Sequence, residues 1–301
     1  MASSKYTAES ITVLEGLDPV RKRPGMYIGG VGSTGLHHLV WEIVDNSVDE
    51  AMNGHATEIA VTLHKDGQSI TVSDDGRGIP IDIHPKHKKS ALEIVYTTLH
   101  AGGKFGDDNY KTAGGLHGVG ASVVNALSSE VTVTVKRDGA AWSMEFHGGA
   151  VKSKLKKLGA ARGSGTTVHF RPDPTIFPRT DFNPDTIRER LEIVSYLHRG
   201  VTVRFNDETH GQKYEYSHAE GLVEYLRRIV TEAGARAVHE APFTLARDEE
   251  TRLEVAFLWT EATEEKIRSY VNGIPTGSGG THENGLRSGL VKAVRNYIDT
   301  H

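Results

Sequence analysis

The segment Gly114-Gly115-Leu116-His117-Gly118-Val119-Gly120 constrains this chain more than any other, because it runs without a break into the apolar stretch Ala121–Leu127. The first turn of a helix leaves backbone N–H groups without partners, and glycines on that approach let an anion come close to them. Four glycines at a helix start therefore describe a phosphate cradle. Upstream, Gly102-Gly103-Lys104 adds more free backbone and a cation. Lys104 is followed by Phe105 and not by Ser or Thr, so this is not a Walker A loop. The plain alternative is a glycine-rich linker, but a linker rarely opens an apolar helix so abruptly.

A second helix carries the matching chemistry. Leu36, Leu39, Val40, Ile43, Val44, Val48 and Ala51 recur every three or four residues and give one buried stripe, which Asn53-Gly54 ends. His38, Glu42 and Asn46 lie one turn apart on one side of that helix, with Asp49 and Glu50 following. An imidazole, a carboxylate and an amide oxygen in one column suit an orienting group, a general base and a hard-cation ligand. A solvated polar face is the alternative; a mid-helix Asn, a mediocre helix former, argues against it.

Two alternating strands follow, with Ile59, Val61 and Leu63 on the first and Ile70 and Val72 on the second, joined by an Asp66-Gly67 turn. Asp74 continues the phase of Ile70 and Val72, so its carboxylate should face the covered side of the sheet, where it needs a donor. An adenine amine is such a donor, and Gly76 and Gly78 would let a flat ring approach the backbone. A strand-end turn built from Asp and Gly is the competing reading.

The rest of the chain reads as an α/β or α+β sandwich. Residues 1–35 are expected as an extended arm. Helices are expected at Ala91–Leu99 and Ala121–Leu127, with strands at 131–135, 142–146 and 166–170. From about 219 the pattern restarts with a helix to Ala233, strands near 253–259 and 267–272, and a helix over Leu286–Ile298. This places a domain boundary near residue 218, and 301 residues suffice for two domains. There is no cysteine, which excludes disulfides and thiolate chemistry and points to a reducing cytoplasm. The absence of an eighteen-residue apolar run argues against a membrane span. The formal charge of −4 argues that this segment does not grip DNA tightly by itself. Gly30-Val31-Gly32-Ser33-Thr34-Gly35 fits a dinucleotide fingerprint but lacks the apolar strand that must precede it. His84 with His87 reads as loop histidines, and the basic run Lys152 to Lys157 as a solvated strand face.

Taken in order, these motifs resemble the ATPases grouped with gyrase, the Hsp90 chaperones, sensor histidine kinases and MutL, known as the GHKL or Bergerat type. Within that group the chain resembles the gyrase B and topoisomerase IV B proteins of bacterial type II topoisomerases, gyrase B more than its sister. The residues that carry this are Val20 to Gly29, Glu42 to Asn46, Asp74 to Pro80, His100 to Phe105, Gly114 to Gly120 and Gly279-Gly280-Thr281-His282. The resemblance implies an α+β, two-layer GHKL sandwich over 1–218 with an N-terminal dimerisation arm. A ribosomal-protein-S5-like transducer domain over 219–301 would follow.

It implies ATP and Mg²⁺ as ligands. Glu42 is then the base that activates water, His38 lies behind it, and Asn46 is the magnesium ligand. Asp74 reads the adenine, helped by Thr166 through a water. Gly102, Gly103, Lys104, Tyr110, Lys111, Leu116, His117, Gly118, Val119 and Gly120 form a phosphate lid. Glu50 pairs with Arg77, and Gly78 and Ile79 line the pocket. Arg77, Pro80, Arg137, Thr166 and Asp74 border the outer pocket for aminocoumarin antibiotics. Tyr6 and Ile11 belong to an arm that swaps onto a second copy when ATP closes the dimer. In the full enzyme the partners are gyrase A, in a heterotetramer of two gyrase A and two gyrase B chains, and DNA, which is negatively supercoiled.

A histidine kinase is a poorer match, because Glu42 stands one turn before Asn46 and no phosphoacceptor helix precedes it. An Hsp90-like chaperone is disfavoured by Tyr27 to Gly29 and Gly279 to His282. The family's second domain continues to a loop whose lysine reaches the γ-phosphate, whereas this sequence stops at Asp299-Thr300-His301. The expectation is therefore a fragment that binds ATP and hydrolyses it poorly, with a non-hydrolysing nucleotide-binding module as the alternative.

Overall fold

The computed structural model describes residues 11, 13–105, 110, 112, 114–115, 118–249 and 251–301. Tyr6, Lys111, Leu116 and His117 lie outside the described residues. The chain divides into two compact units between Ala219 and Glu220.

The first unit opens with short helices α1 (Asp18–Lys22) and α2 (Gly25–Ile28), then the long α3 (Ser33–Met52). Strands β1 (Glu58–Leu63) and β2 (Ile70–Asp74) follow, then α4 (Ala91–Thr97), a single 3-10 turn at Gly103–Phe105, and α5 (Gly120–Ala126). Next come β3 (Ser128–Arg137), β4 (Ala140–His147), β5 (Ala150–Val151), β6 (Lys156–Ala160) and β7 (Gly165–Pro172). The unit closes with α6 (Pro184–Leu197), β8 (Thr202–Asp207) and β9 (Gln212–Tyr216). The strands form one sheet in the order β5-β4-β3-β7-β2-β1-β8-β9, with β6 also paired to β4. Among these pairs β1 with β8 is parallel.

The strand alternation seen in the sequence sets the layers. A row of side chains crosses the sheet in register, Phe205 beside Val61, Val61 beside Val72, Val72 beside Val168, Val168 beside Val133, and Val133 beside Met144. All of them are buried, and they share one core with Leu36, Leu39, Val40, Ile43 and Val44 of α3, Leu92 of α4, Val124 of α5 and Leu191 of α6. Burial of each such side chain contributes about 1.5–3 kcal/mol. The intervening Thr62, Thr71, Thr132 and Thr134 are half-buried. The unit is a two-layer α/β sandwich with α3–α6 on the covered face.

The expectation of an extended arm over 1–35 needs correction. Pro19 stands in the first turn of α1, where a missing N–H costs nothing, and burial of Val20 and Ile28 draws both short helices onto the core. Helix α6 lay outside the sequence expectation. Its start is marked by Asn183, whose side chain accepts from Thr186 N at 3.0 Å, with Pro184 in the first turn.

The second unit holds α7 (Leu222–Glu232), the hairpin β10 (Phe243–Asp248) with β11 (Arg252–Phe257), the short pair β12 (Tyr270–Val271) with β13 (Ile274–Pro275), and α8 (Thr281–Thr300). Helix α8 begins earlier than the expected Leu286, passing through Gly285 and Gly289. Among the described residues no helix is long and apolar enough to cross a membrane.

Candidate functional site

Helix α3 brings the polar column to the covered face of the sheet. His38 Nε2 lies 2.9 Å from Glu42 Oε1. That bond to Glu42 raises the His38 pKa, against the opposing effect of burial. One turn on, Asn46 Nδ2 donates to Glu42 O at 2.8 Å, and Asn46 Oδ1 accepts from Lys104 Nζ at 2.6 Å. Both partners demand the same amide orientation, so the oxygen is fixed outward. Just before Asn46, Asp45 is half-buried 3.8 Å from Arg190, and loss of solvent pushes its carboxyl up to about 6.

The glycine segment meets this column. A Cβ on Gly120, the first residue of α5, would fall 2.1 Å from Glu42 Oε2. Only a residue without a side chain lets that carboxylate stand beside the helix start.

Asp74 closes the other end. It lies at the last position of β2, and its side chain turns toward α3 as its strand phase requires. Oδ2 accepts from Ser47 Oγ at 2.9 Å, while Oδ1 accepts from Gly76 N at 3.0 Å and Thr166 N at 3.2 Å. Burial raises the Asp74 carboxyl, and these three bonds pull it back part of the way. Thr166 Oγ1 accepts from Ile79 N at 3.2 Å. A Cβ on Gly165 would meet Asp74 O at 2.0 Å, so β7 approaches the Asp74 backbone too closely for any other residue.

At the rim, Glu50 takes Arg77 in a fork, Nη2 to Oε1 at 2.7 Å and Nε to Oε2 at 3.1 Å, and Arg77 N adds a third bond at 3.0 Å. Tyr110 Oη donates to Glu50 Oε1 at 2.6 Å, and its ring centre lies 4.9 Å under the Arg77 guanidinium. Burial pushes the Glu50 carboxyl up, but the bonds from Arg77 and Tyr110 outweigh it and hold it at about 2. Arg137 Nη1 donates to Gly78 O at 2.8 Å, and Pro80, two residues further along the chain, is exposed.

The structure thus gathers His38, Glu42, Asn46, Glu50, Asp74, Arg77, Gly78, Ile79, Lys104, Tyr110, Gly120, Arg137 and Thr166 around the open side of α3. Ile11 is 60% exposed, and no described contact ties it to this cleft. Among the described residues no group of three or more His, Cys, Asp or Glu side chains is placed to hold a metal.

Both units of the chain match known protein families. Residues 32–176 match the family of histidine kinase-, DNA gyrase B- and HSP90-like ATPases, and residues 221–301 match the DNA gyrase B family. A solved structure of the gyrase B ATPase domain of Thermus thermophilus, in complex with an aminocoumarin, superposes with a TM-score of 0.82 at 41% identity. The match covers 94% of this chain and 73% of that one. The chain belongs to the DNA gyrase B family. The DNA gyrase B protein of Thermotoga maritima is 47% identical over 99% of this chain and 48% of its own length. The DNA topoisomerase 4 B protein of Staphylococcus aureus is 45% identical over 98% and 44%. The chain spans about half the length of these curated relatives.

Two residues of this gyrase B fold received no site role from the sequence, Ser47 and, although it was named on the polar side of the helix, Asp49. Ser47, which holds Asp74, occupies the apolar stripe of α3, and a hydroxyl in a core position was the available signal. Helical spacing puts Asp49 beside the apolar stripe without a partner, yet it is fully buried, with Oδ1 accepting from Gly114 N at 2.7 Å and Oδ2 2.5 Å from Lys104 Nζ. The difference arises because the glycine segment folds over α3, which no helical periodicity can foretell.

Proposed function

We propose that this chain binds ATP in the cleft over α3 and hydrolyses it, as the ATPase part of a gyrase B-type topoisomerase. The observation that carries this reading is the placement of Glu42, with His38 on one side and the start of α5 on the other. A carboxylate oriented by an imidazole, next to a glycine-lined helix start, suits a base that takes the proton of an attacking water beside a terminal phosphate. Asp74 accepts the adenine amine, with Ser47 and Thr166 fixing its carboxylate, and Gly78 and Ile79 flank the ring. Gly102, Gly103, Lys104, Tyr110, Gly118, Val119 and Gly120 serve the phosphates, as do Lys111, Leu116 and His117. Glu50 fixes Arg77 at the mouth.

The residues fit a magnesium ion: Asn46 Oδ1 is a hard oxygen, its orientation is fixed, and a cation, the Lys104 ammonium, already meets it. Such an ion would neutralise triphosphate charge. The outer rim of Arg77, Pro80, Arg137, Thr166 and Asp74 is the place for an aminocoumarin, the class of ligand named for the Thermus thermophilus structure. In a cytoplasmic enzyme of full length, Tyr6 and Ile11 would cross to a second copy, with gyrase A and DNA as further partners. Nucleotide occupancy then biases the opening and closing of a dimer gate.

The test is ATP turnover with nucleotide binding measured alongside. Glu42→Gln should lower turnover by about a hundredfold or more while leaving binding intact. Asp74→Asn should remove binding itself. Turnover that survives Glu42→Gln overturns the assignment of the base. A chain that binds nucleotide but turns none over is a binding module instead. Negative supercoiling by the full-length protein together with gyrase A separates gyrase from topoisomerase IV.

A further inference from the structure

The buried carboxylate of Asp49 takes no part in the proposed hydrolysis, and its surroundings point to a role. Asp49 stands one turn after Asn46 on α3, so both side chains face the same way. A single ammonium, Lys104 Nζ, meets both: it is 2.6 Å from Asn46 Oδ1 and 2.5 Å from Asp49 Oδ2. Asp49 is fully buried and Lys104 largely so, with side-chain exposures of 1% and 15%. Oδ1 of Asp49 is engaged by Gly114 N at 2.7 Å, which turns Oδ2 toward the ammonium. Gly115 covers the spot; a Cβ there would lie 3.4 Å from Lys104 Nζ and 3.7 Å from Asp49 Oδ2.

We infer that Asn46 Oδ1 and Asp49 Oδ2 form one cation seat, which the Lys104 ammonium and a divalent cation occupy in mutual exclusion. One neutral and one charged oxygen, both hard, suit either occupant. The chain supplies two oxygens, and the remaining positions of a divalent ion fall to water and phosphate oxygens. Departure of Lys104 from the seat is then coupled to metal entry, and the freed ammonium becomes available to phosphate. The affinity for the metal is reduced by the fraction of chains in which Lys104 holds the seat. The inference rests on the assignment of Asn46 as the metal ligand and extends it to Asp49, with Lys104 as the internal competitor.

The test uses Mn²⁺ binding to the whole chain, read by electron paramagnetic resonance, with adenosine binding as a separate measure of the adenine end. Lys104→Met removes the competing charge and should tighten Mn²⁺ by about tenfold or more. Adding Asp49→Asn should return the affinity to the wild-type level or below, with adenosine binding unchanged throughout. In the Lys104→Met protein, Mn²⁺ should broaden the backbone resonances of Asn46 and Asp49 first. That measurement decides the matter if the doubly substituted chain does not fold. Unchanged Mn²⁺ affinity in Lys104→Met, tightening that survives Asp49→Asn, or broadening centred elsewhere would overturn the shared seat and leave an ordinary Asp–Lys ion pair. Failure of the wild type to bind adenosine would instead count against the ATP reading, and the Mn²⁺ comparison would still report on the seat.

Discussion

Helices α3 and α8 are both twenty residues long, and they live in opposite conditions. Ten residues of α3 are buried, while α8 has none. The apolar side chains Val291, Val294, Tyr297 and Ile298 of α8 are 52%, 47%, 65% and 68% exposed. The hairpin β10–β11 repeats the pattern with Phe243 and Leu253. Helical propensity alone holds a helix of this length only marginally, so α3 owes its stability to the core and α8 lacks that source. Apolar stripes left open in this way mark surfaces that other atoms are meant to cover. The first unit is a finished core with a site cut into it, and the second offers a face.

The contrast can be broken most directly by truncating a side chain in each helix. Leu39→Ala in α3 should cost the first unit about 2–5 kcal/mol, whereas Val294→Ala in α8 should stay within about 0.5 kcal/mol. Hydrogen exchange of amides in each helix reads the two separately, and equal losses would erase the distinction.

A smaller effect compares two forked ion pairs, Glu50–Arg77 in the first unit and Glu265–Arg287 in the second. Glu50 titrates lower in the folded chain than unfolded, so its contribution is present above pH 4.5 and is lost as pH falls toward about 2. Glu50→Gln should therefore cost about 2 kcal/mol at neutral pH, and the difference should vanish in strong acid. Glu265→Gln, in a pair that is 59% exposed on the carboxylate side and screened by solvent, should move the melting temperature far less at every pH. Denaturation at several pH values checks both.

Asp45 has the opposite sign. Its folded carboxyl titrates near 6 and its ordinary value is 3.8, so the folded chain holds the extra proton and stability falls as pH rises through that window. Asp45→Asn should raise stability by about 1 kcal/mol at pH 8, less than the full shift because the attraction to Arg190 is weakened, and should be neutral at pH 3. The smallest expected effect returns to α8: Val291→Ser with Ile298→Ser should change stability by less than about 0.5 kcal/mol while lowering the binding of a hydrophobic dye.

Much of this was legible in the sequence where one element alone carried the signal. The α3 stripe, the phase that aims Asp74 at α3, and the glycine run into α5 all follow from periodicity and steric permission. Contacts between elements far apart in the chain were not legible. Asp49 has no identifiable partner in the sequence until Gly114 and Lys104 fold over it, and α1 and α2 become helical because Val20 and Ile28 have a core to enter. Helix α6 was missed although both signals were present, Asn183-Pro184 at its start and Ile187, Leu191 and Val194 at helical spacing, so it was legible and simply not read. The second unit's open face has no sequence signature at all, because a stripe reads the same whether it is covered or bare.

The contacts at Gly120 and Gly165 bear on how a competitor of this cleft would fare over many generations. A side chain at Gly120 would push into Glu42, and one at Gly165 would push into the Asp74 backbone. If the cleft binds ATP as proposed, a replacement at Gly120 would have to swing the Glu42 carboxylate aside and one at Gly165 would have to move the Asp74 backbone, so escape at either position would disturb the groups that the nucleotide needs. Arg137 and Pro80, at the mouth, are under no such steric prohibition. A molecule anchored against the two glycines leaves the target little room to escape, and one that leans on the rim leaves it a great deal.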